Sequence, residues 1–285
     1  MSKSNLNILS YNVHLFEKSL ASTIEPELVY QDENRLLSLF NCLSRLNFDI
    51  IGLTEVWSHK IQNEVKNFLK KYNMNSYAFQ GEPDTKGSAG LVLGFKGKNY
   101  GGMGFEYYQN MVGPDSFSSK GVAYGILNIQ GSRIFIVQTH TQASYTGTVE
   151  KDDTARKLQI EQTLFPILDK ALENHPKVPI FLLGDLNIVA GTSQYKWFKN
   201  QLHLRGLNDA WVTANNGTDG ITYDPENNKL VKHFDPTQKE QQRLDYIFST
   251  EKGIYVDNMQ VEEWKTQDGI DISDHYGVIG EFNIY

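Results

Sequence analysis

A single cysteine, Cys42, stands in 285 residues, so the chain can form no intramolecular disulfide and build no thiolate metal centre. That fits a reducing compartment, and equally a secreted protein that folds without disulfides. No block of like charge runs along the chain. Its formal charge of −7 is spread over 34 acidic and 27 basic residues, which gives no electrostatic reason to expect a nucleic-acid partner. The longest apolar runs, such as "VPIFLLG", are strand-sized and too short to span a bilayer, so no transmembrane segment is expected. The N-terminal "MSKSNLNILSYNVHLF" has neither a long apolar core nor a small-residue cleavage site, and no signal peptide is visible in it. Solenoid repeats, low-complexity tracts and linkers are all lacking, which points to one domain over residues 1–285.

The residues that are present describe a core. Hydrophobic residues make up 40% and aromatic residues 12%, enough to exclude disorder. Six apolar, β-branched segments read as buried strands, and each carries a polar residue of catalytic type. "LNILSYN" runs into Asn12, "FDIIGLTE" into Glu55, "RIFIVQTH" into His140, and "VPIFLLGDLN" into Asp185 and Asn187. "RLDYIFS" carries Asp245, and "SDHYGVIGEF" has Asp274 and His275 at its start. Between them, "DENRLLSLFNCLSRL", "SHKIQNEVKNFLKKY" and "DDTARKLQIEQTLFPILDKALENH" have the three- and four-residue apolar spacing of amphipathic helices, the first with Asp32 as its expected N-cap. Polar residues at the ends of separate strands place a site at one rim of a sheet, where loops converge.

Taken singly, each has a bland reading. Glu55 could be a surface strand end, Asn12 a turn former, Asp185 and Asn187 an Asx-turn, and His140 a hydrogen-bonded strand-end histidine. Together they offer more. Glu55 and Asn12 supply oxygen ligands only, which suit magnesium, calcium or manganese rather than zinc. At period two, Asp185 and Asn187 would point to one side of their strand. A carboxylate holding one ring nitrogen of His275 would fix its tautomer and raise the basicity of the other, and Asp245 on a neighbouring strand suits this better than the adjacent Asp274. His14, His59, His175, His203 and His233 lie in helical or loop contexts and read as structural or solvated.

With "SYN", "LTEVW", "THTQAS", "GDLN", "RLDYIF" and "SDHY" in this order, nearly the whole chain resembles the endonuclease/exonuclease/phosphatase superfamily. Within it, "GPDSFSSKGVAYGIL", with Asp115, Lys120 and Gly121, and "YDPENNKLVK" are similar to segments of the bacterial neutral sphingomyelinases. The resemblance implies a four-layered α/β sandwich of the DNase I-like kind, two packed β-sheets flanked by helices. It also implies a Mg²⁺-dependent phosphodiesterase, with Mn²⁺ or Co²⁺ able to substitute, that hydrolyses sphingomyelin to ceramide and phosphocholine. A nuclease or phosphatase of the same superfamily, or a hydrolase of another choline phospholipid, is the alternative.

By the same resemblance, Glu55 and Asn12 hold the metal, His275 is the general base and Asp245 its orienting acid. Asp185 and Asn187 position the attacking water, while His140 and Lys120 stabilise the phosphoryl group or the leaving alkoxide. Asp115 and Asp274 form a second tier. The expected partner is sphingomyelin or a related choline phospholipid at a membrane surface, met by a monomer that is secreted from a bacterium or else cytoplasmic. One stretch departs from the pattern. The secreted enzymes carry an exposed hairpin with paired aromatics before "SDHY", whereas "VEEWKTQDGID" has Trp264 alone among several acids. "YGGMGFEYY", with Tyr107 and Tyr108, is a weaker candidate for lipid contact and reads first as strand.

Overall fold

The structure, a computed structural model, describes residues 4–16, 26–81, 87–145 and 148–285. In chain order the strands are β1 (Ser4–Leu15), β2 (Ile50–Val56), β3 (Asn75–Ala78), β4 (Val92–Phe95), β5 (Lys98–Tyr107), β6 (Gly121–Ile129), β7 (Ser132–His140), β8 (Ile180–Asp185), β9 (Leu207–Asp209), β10 (Asp245–Thr250), β11 (Ile254–Glu262) and β12 (Gly277–Ile284). The helices are α1 (Pro26–Ser44), α2 (His59–Lys71), α3 (Val149–Gln159), α4 (Phe165–Asn174), α5 (Ser193–His203), α6 (Ala210–Asn215) and α7 (Lys229–Phe234). Two six-stranded mixed sheets result, in the orders β11-β12-β1-β2-β4-β3 and β5-β6-β7-β8-β10-β9.

The apolar residues sort into three layers, and the sorting follows from the two-residue period of a strand. In β1, Leu6 and Ile8 face the second sheet, while Leu9, Tyr11 and Val13 face the helices α1 and α2. In β8, Phe181 and Leu183 face the first sheet, while Ile180 and Leu182 pack against α4 and α5. Both faces of each central strand are therefore buried, which explains why these segments read as continuous apolar runs rather than as an alternation. The order of layers is helix, sheet, sheet, helix, the sandwich expected from the resemblance.

Register sets the site. The parallel pairing of β1 with β2 puts Asn12 beside Thr54, one residue before Glu55. In the second sheet β7 runs parallel to β8 with His140 beside Asp185, and β10 runs antiparallel with Asp245 beside Asp185. Three functional candidates thus stand in one row across adjacent strands.

Several details differ from the sequence expectations. Asp32 is not an N-cap. The helix begins six residues earlier at Pro26, a residue suited to a first turn, and Asp32 pairs with the buried Arg35 and accepts a hydrogen bond from the Phe16 amide at 3.3 Å. The long helical stretch after Val149 contains a π turn at Ile160–Leu164, just before Pro166. A proline ring clashes with the carbonyl four residues back in a regular helix, and the wider turn relieves that clash. Trp264 packs edge-on against Tyr11 at 5.4 Å, and the turn after it is closed by the Thr266 amide on Ile270 O at 2.7 Å. Tyr108 is a core residue whose hydroxyl meets Thr139 Oγ1 at 2.6 Å. Among the described residues no helix is long and apolar enough to cross a membrane.

Gly184 fixes where β8 ends. Its φ is +141°, and a Cβ there would sit 1.8 Å from the Thr139 carbonyl oxygen. The substitution Gly184→Ala should cost about 2 kcal/mol or more and lower the thermal midpoint by several degrees; a melt superimposable on the wild type would refute this account of the turn.

Candidate active site

Asn12 is fully buried where β1 meets the second sheet, and its amide nitrogen lies between two carboxylates. It donates to Glu55 Oε1 at 2.8 Å and to Asp185 Oδ2 at 2.9 Å, while Asn12 Oδ1 accepts from the His14 amide at 3.1 Å. Asn12 thus presents a donor, not an oxygen, to the two carboxylates. Glu55 has a φ of +59°, uncommon outside glycine, which swings its side chain out of the strand into the cleft. Glu55 Oε2 accepts from Trp57 Nε1 at 3.3 Å and lies 3.2 Å from His14 Nδ1. Burial alone would raise the pKa of Glu55. The hydrogen bond and charge of His14, with Lys120 beyond, outweigh burial and hold it well below the usual carboxylate range.

His14 corrects the sequence reading. It is neither helical nor solvated; it lies near the end of β1, with Nδ1 within 3.4 Å of Asp274 Oδ2 as well as close to Glu55. Burial would lower its pKa, but Asp274 and Glu55 raise it above the ordinary imidazole value. A signal existed: Asn12 and His14 are two apart at a strand end, the same spacing that singled out Asp185 and Asn187. The other four set-aside histidines lie on helices or at their ends.

On the opposite wall, Lys120 spends all three of its donors inside the protein, on Asp115 Oδ2 at 2.8 Å, His140 Nε2 at 3.2 Å and Thr141 O at 3.1 Å. Asp115 also accepts from the Ala143 amide at 2.8 Å and from the Tyr145 hydroxyl at 3.0 Å. Burial would raise its pKa, but Lys120 brings it below the usual value. His140 is driven the other way. Burial first and Lys120 second push it down to about 3, so its imidazole is neutral.

Asp185 joins the walls. Its Oδ2 lies 3.6 Å from His140 Nε2 and 3.8 Å from His275 Nε2, and burial, with the charge of Asp245, pushes its pKa up to about 7. His275 Nδ1 meets Asp245 Oδ2 at 2.7 Å. Burial would lower the pKa of His275; Asp245 and Asp185 overcome that and raise it well above the usual range. Asp274 turns away from its neighbour, with Oδ1 on Ser273 Oγ at 3.1 Å and Oδ2 toward His14. Asn187 stands at the margin, and not for the reason its spacing implied. The strand ends at Asp185, Asn187 adopts φ +50°, its amide N–H caps Asp185 Oδ1 at 2.9 Å, and Nδ2 reaches Thr141 O at 3.3 Å.

Half-buried aromatic rings line the cleft mouth, and local sequence carried no sign of them. The Phe16 and Phe234 rings lie 4.9 and 4.2 Å from that of His14, Trp57 lies 6.2 Å from His140, and Tyr223 lies 5.0 Å from His275. A separate cavity of about 510 Å³ runs between the outer face of β5–β7 and α4 and holds none of these groups.

The cleft suits a hard cation. Two carboxylate-bearing sets come within 4.8 Å, Glu55 with His140 and Asp185, and Asp185 with Asp245 and His275. Since His140 Nε2 faces the Lys120 ammonium, the first set offers carboxylate oxygens, the ligands of a divalent ion such as magnesium. Burial, with Asp245 nearby, makes the negative charge of Asp185 costly, and a cation there would offset it.

Comparison with known proteins agrees with this architecture. The chain is 31% identical to a phospholipase C of Staphylococcus aureus over 144 residues, covering 50% of this chain and 40% of that one. It is 25% identical to sphingomyelinase C 1 of Leptospira interrogans over 261 residues, covering 87% of this chain and 42% of that one. It therefore spans about two fifths of the length of either relative. In fold it matches a beta toxin variant of Staphylococcus aureus with bound magnesium ions, at a TM-score of 0.77 and 21% identity, covering 97% of this chain and 99% of that one. A model of the Endonuclease/Exonuclease/phosphatase family matches residues 9–275, from β1 to His275, and the chain belongs to that family.

Proposed function

We propose that this chain is a Mg²⁺-dependent phosphodiesterase of the phospholipase C type that hydrolyses sphingomyelin to ceramide and phosphocholine. The observation that carries the reading is the run of contacts His275–Asp185–Asn12–Glu55, with the Asp245-bound His275 at one end and the cation-suited carboxylates at the other. The names of the relatives, a phospholipase C and sphingomyelinases, support the substrate class. So do the rings of Phe16, Trp57, Tyr223 and Phe234, since aromatic faces attract a quaternary ammonium headgroup.

Glu55, with Asp185 beside it, would hold the ion, and a bound Mg²⁺ supplies Lewis acidity that offsets negative charge on the phosphate oxygens. His275 takes a proton from the attacking water at Nε2, the nitrogen that faces the cleft. Asp245 keeps Nδ1 protonated and stabilises the imidazolium that forms. Asp185 accepts a second hydrogen bond from that water and aims it, with Asn12 and the Asn187 amide holding the carboxylate in place. Positive charge on the far wall comes from Lys120. As the water oxygen bonds to phosphorus the bond to the ceramide oxygen breaks, and that oxygen takes a proton from the Lys120–His140 pair, which solvent restores as His275 releases the one it took. His140, being neutral, holds the Lys120 ammonium and does not itself supply charge. Asp115, Tyr145 and the Ala143 amide anchor Lys120 from behind.

With sphingomyelin, phosphatidylcholine and plasmid DNA assayed in parallel, phosphocholine should be released from sphingomyelin, EDTA should abolish the release and Mg²⁺ should restore it. Glu55→Ala and His275→Ala should each lower turnover by roughly 10²–10⁴-fold; wild-type rates in both, or cleavage of the DNA alone, would sink the assignment. The pH profile offers a separate check. Asp245 raises the pKa of His275, so Asp245→Asn should lower it. The deprotonated base then exists at lower pH, and the rising limb of activity should move toward acid even as the maximal rate falls. A limb that stays in place would show that His275 is not the titrating base.

A further inference from the structure

His14 is held more tightly than a structural histidine requires. Its φ is +45°, a conformation that side chains with a Cβ rarely adopt, and the backbone is pinned there from both sides. The His14 amide donates to Asn12 Oδ1 at 3.1 Å, and its carbonyl accepts from Nη2 of the buried Arg35 at 2.8 Å. This conformation delivers Nδ1 between Glu55 Oε2, at 3.2 Å, and Asp274 Oδ2, at 3.4 Å.

Glu55 has three rotatable side-chain bonds, so its carboxylate keeps one orientation only if both oxygens are held. Asn12 holds Oε1. Trp57 Nε1 reaches Oε2 at 3.3 Å, a long bond, and His14 is the other group there. We propose that His14 is a positioning residue for the cation site: Nδ1 fixes the Oε2 edge of Glu55 and ties it to Asp274, leaving Oε1 turned toward Asn12 and Asp185. This rests on the reading that Glu55 holds a divalent cation. Partners that orient a metal-binding carboxylate typically change metal affinity by about 10–100-fold when removed.

Two substitutions separate the side chain from the backbone, because glycine and asparagine both tolerate positive φ. His14→Gly removes the brace. His14→Asn keeps a donor close to the position of Nδ1 but removes the ring. Mg²⁺ alone is titrated into the full chain by calorimetry, without lipid, and melts in EDTA confirm that all three proteins fold. His14→Gly should bind Mg²⁺ about tenfold more weakly or worse, and His14→Asn should recover most of that loss. Mg²⁺ affinity at the wild-type level in His14→Gly, or equal weakening in both variants, overturns the proposal. A wild type that takes up no Mg²⁺ overturns it together with the metal-dependent reading. A wild type that binds Mg²⁺ but leaves sphingomyelin intact refutes the substrate assignment while the role of His14 stands.

Discussion

Everything in the cleft depends on the bridge that the Asn12 amide makes between the two sheets. Glu55 belongs to the first sheet and Asp185 to the second, and one buried NH₂ group bonds both carboxylates. Two buried carboxylates this close repel each other and lose their hydration, so without a shared donor one would take up a proton or move into water. Asparagine suits the position because its second polar atom is also used, by the His14 amide. An aspartate there would add charge, and a leucine would take from both acids the donor they share.

The scaffold lets that bridge persist. Apolar layers on both sides of each sheet set the strand ends against one another, so the register from His140 through Asp185 to Asp245 cannot slip without turning core residues toward the wrong face. Strain gathers where the strands stop. His14, Glu55 and Asn187 all take positive φ at the cleft; asparagine tolerates it, while His14 and Glu55 are fixed by nearby hydrogen bonds rather than by their own preference.

The strands and their order were legible because a buried strand leaves a short apolar run that ends abruptly in a polar residue. The helices followed from their periodicity, although the start of α1 lay upstream of the expected cap because Pro26 can open a helix as Asp32 can. In the cleft, the residues at strand ends could be named and the residues between them could not. His14 was passed over as a loop residue with no carboxylate partner in the local sequence, and only the fold brings Asp274 to it from 260 positions away. Tyr145 reaches Asp115 from 30 residues along the chain, and the aromatic rim is drawn from four separate segments. The spacing argument for Asn187 reached a residue that does face the site, yet by a turn rather than a strand.

Charge balance connects this geometry with the proposed chemistry. Glu55, Asp115, Asp185, Asp245 and Asp274 crowd a space in which Lys120, His14 and His275 are the nearby cations or potential cations. The compensation is uneven. Asp115 sits against Lys120 and Glu55 against His14, and both are held ionised, while burial, with the charge of Asp245, raises the pKa of Asp185. A phosphodiester would bring one more negative charge to a cleft already lined by these carboxylates. In a desolvated cleft that repulsion exceeds what hydrogen bonds from Asn12 and Asn187 can offset. A divalent ion held by Glu55 and Asp185 would offset that charge. Such an ion would also oppose the pull of Asp245 and Asp185 on His275 and so favour the neutral imidazole that the proposed chemistry needs.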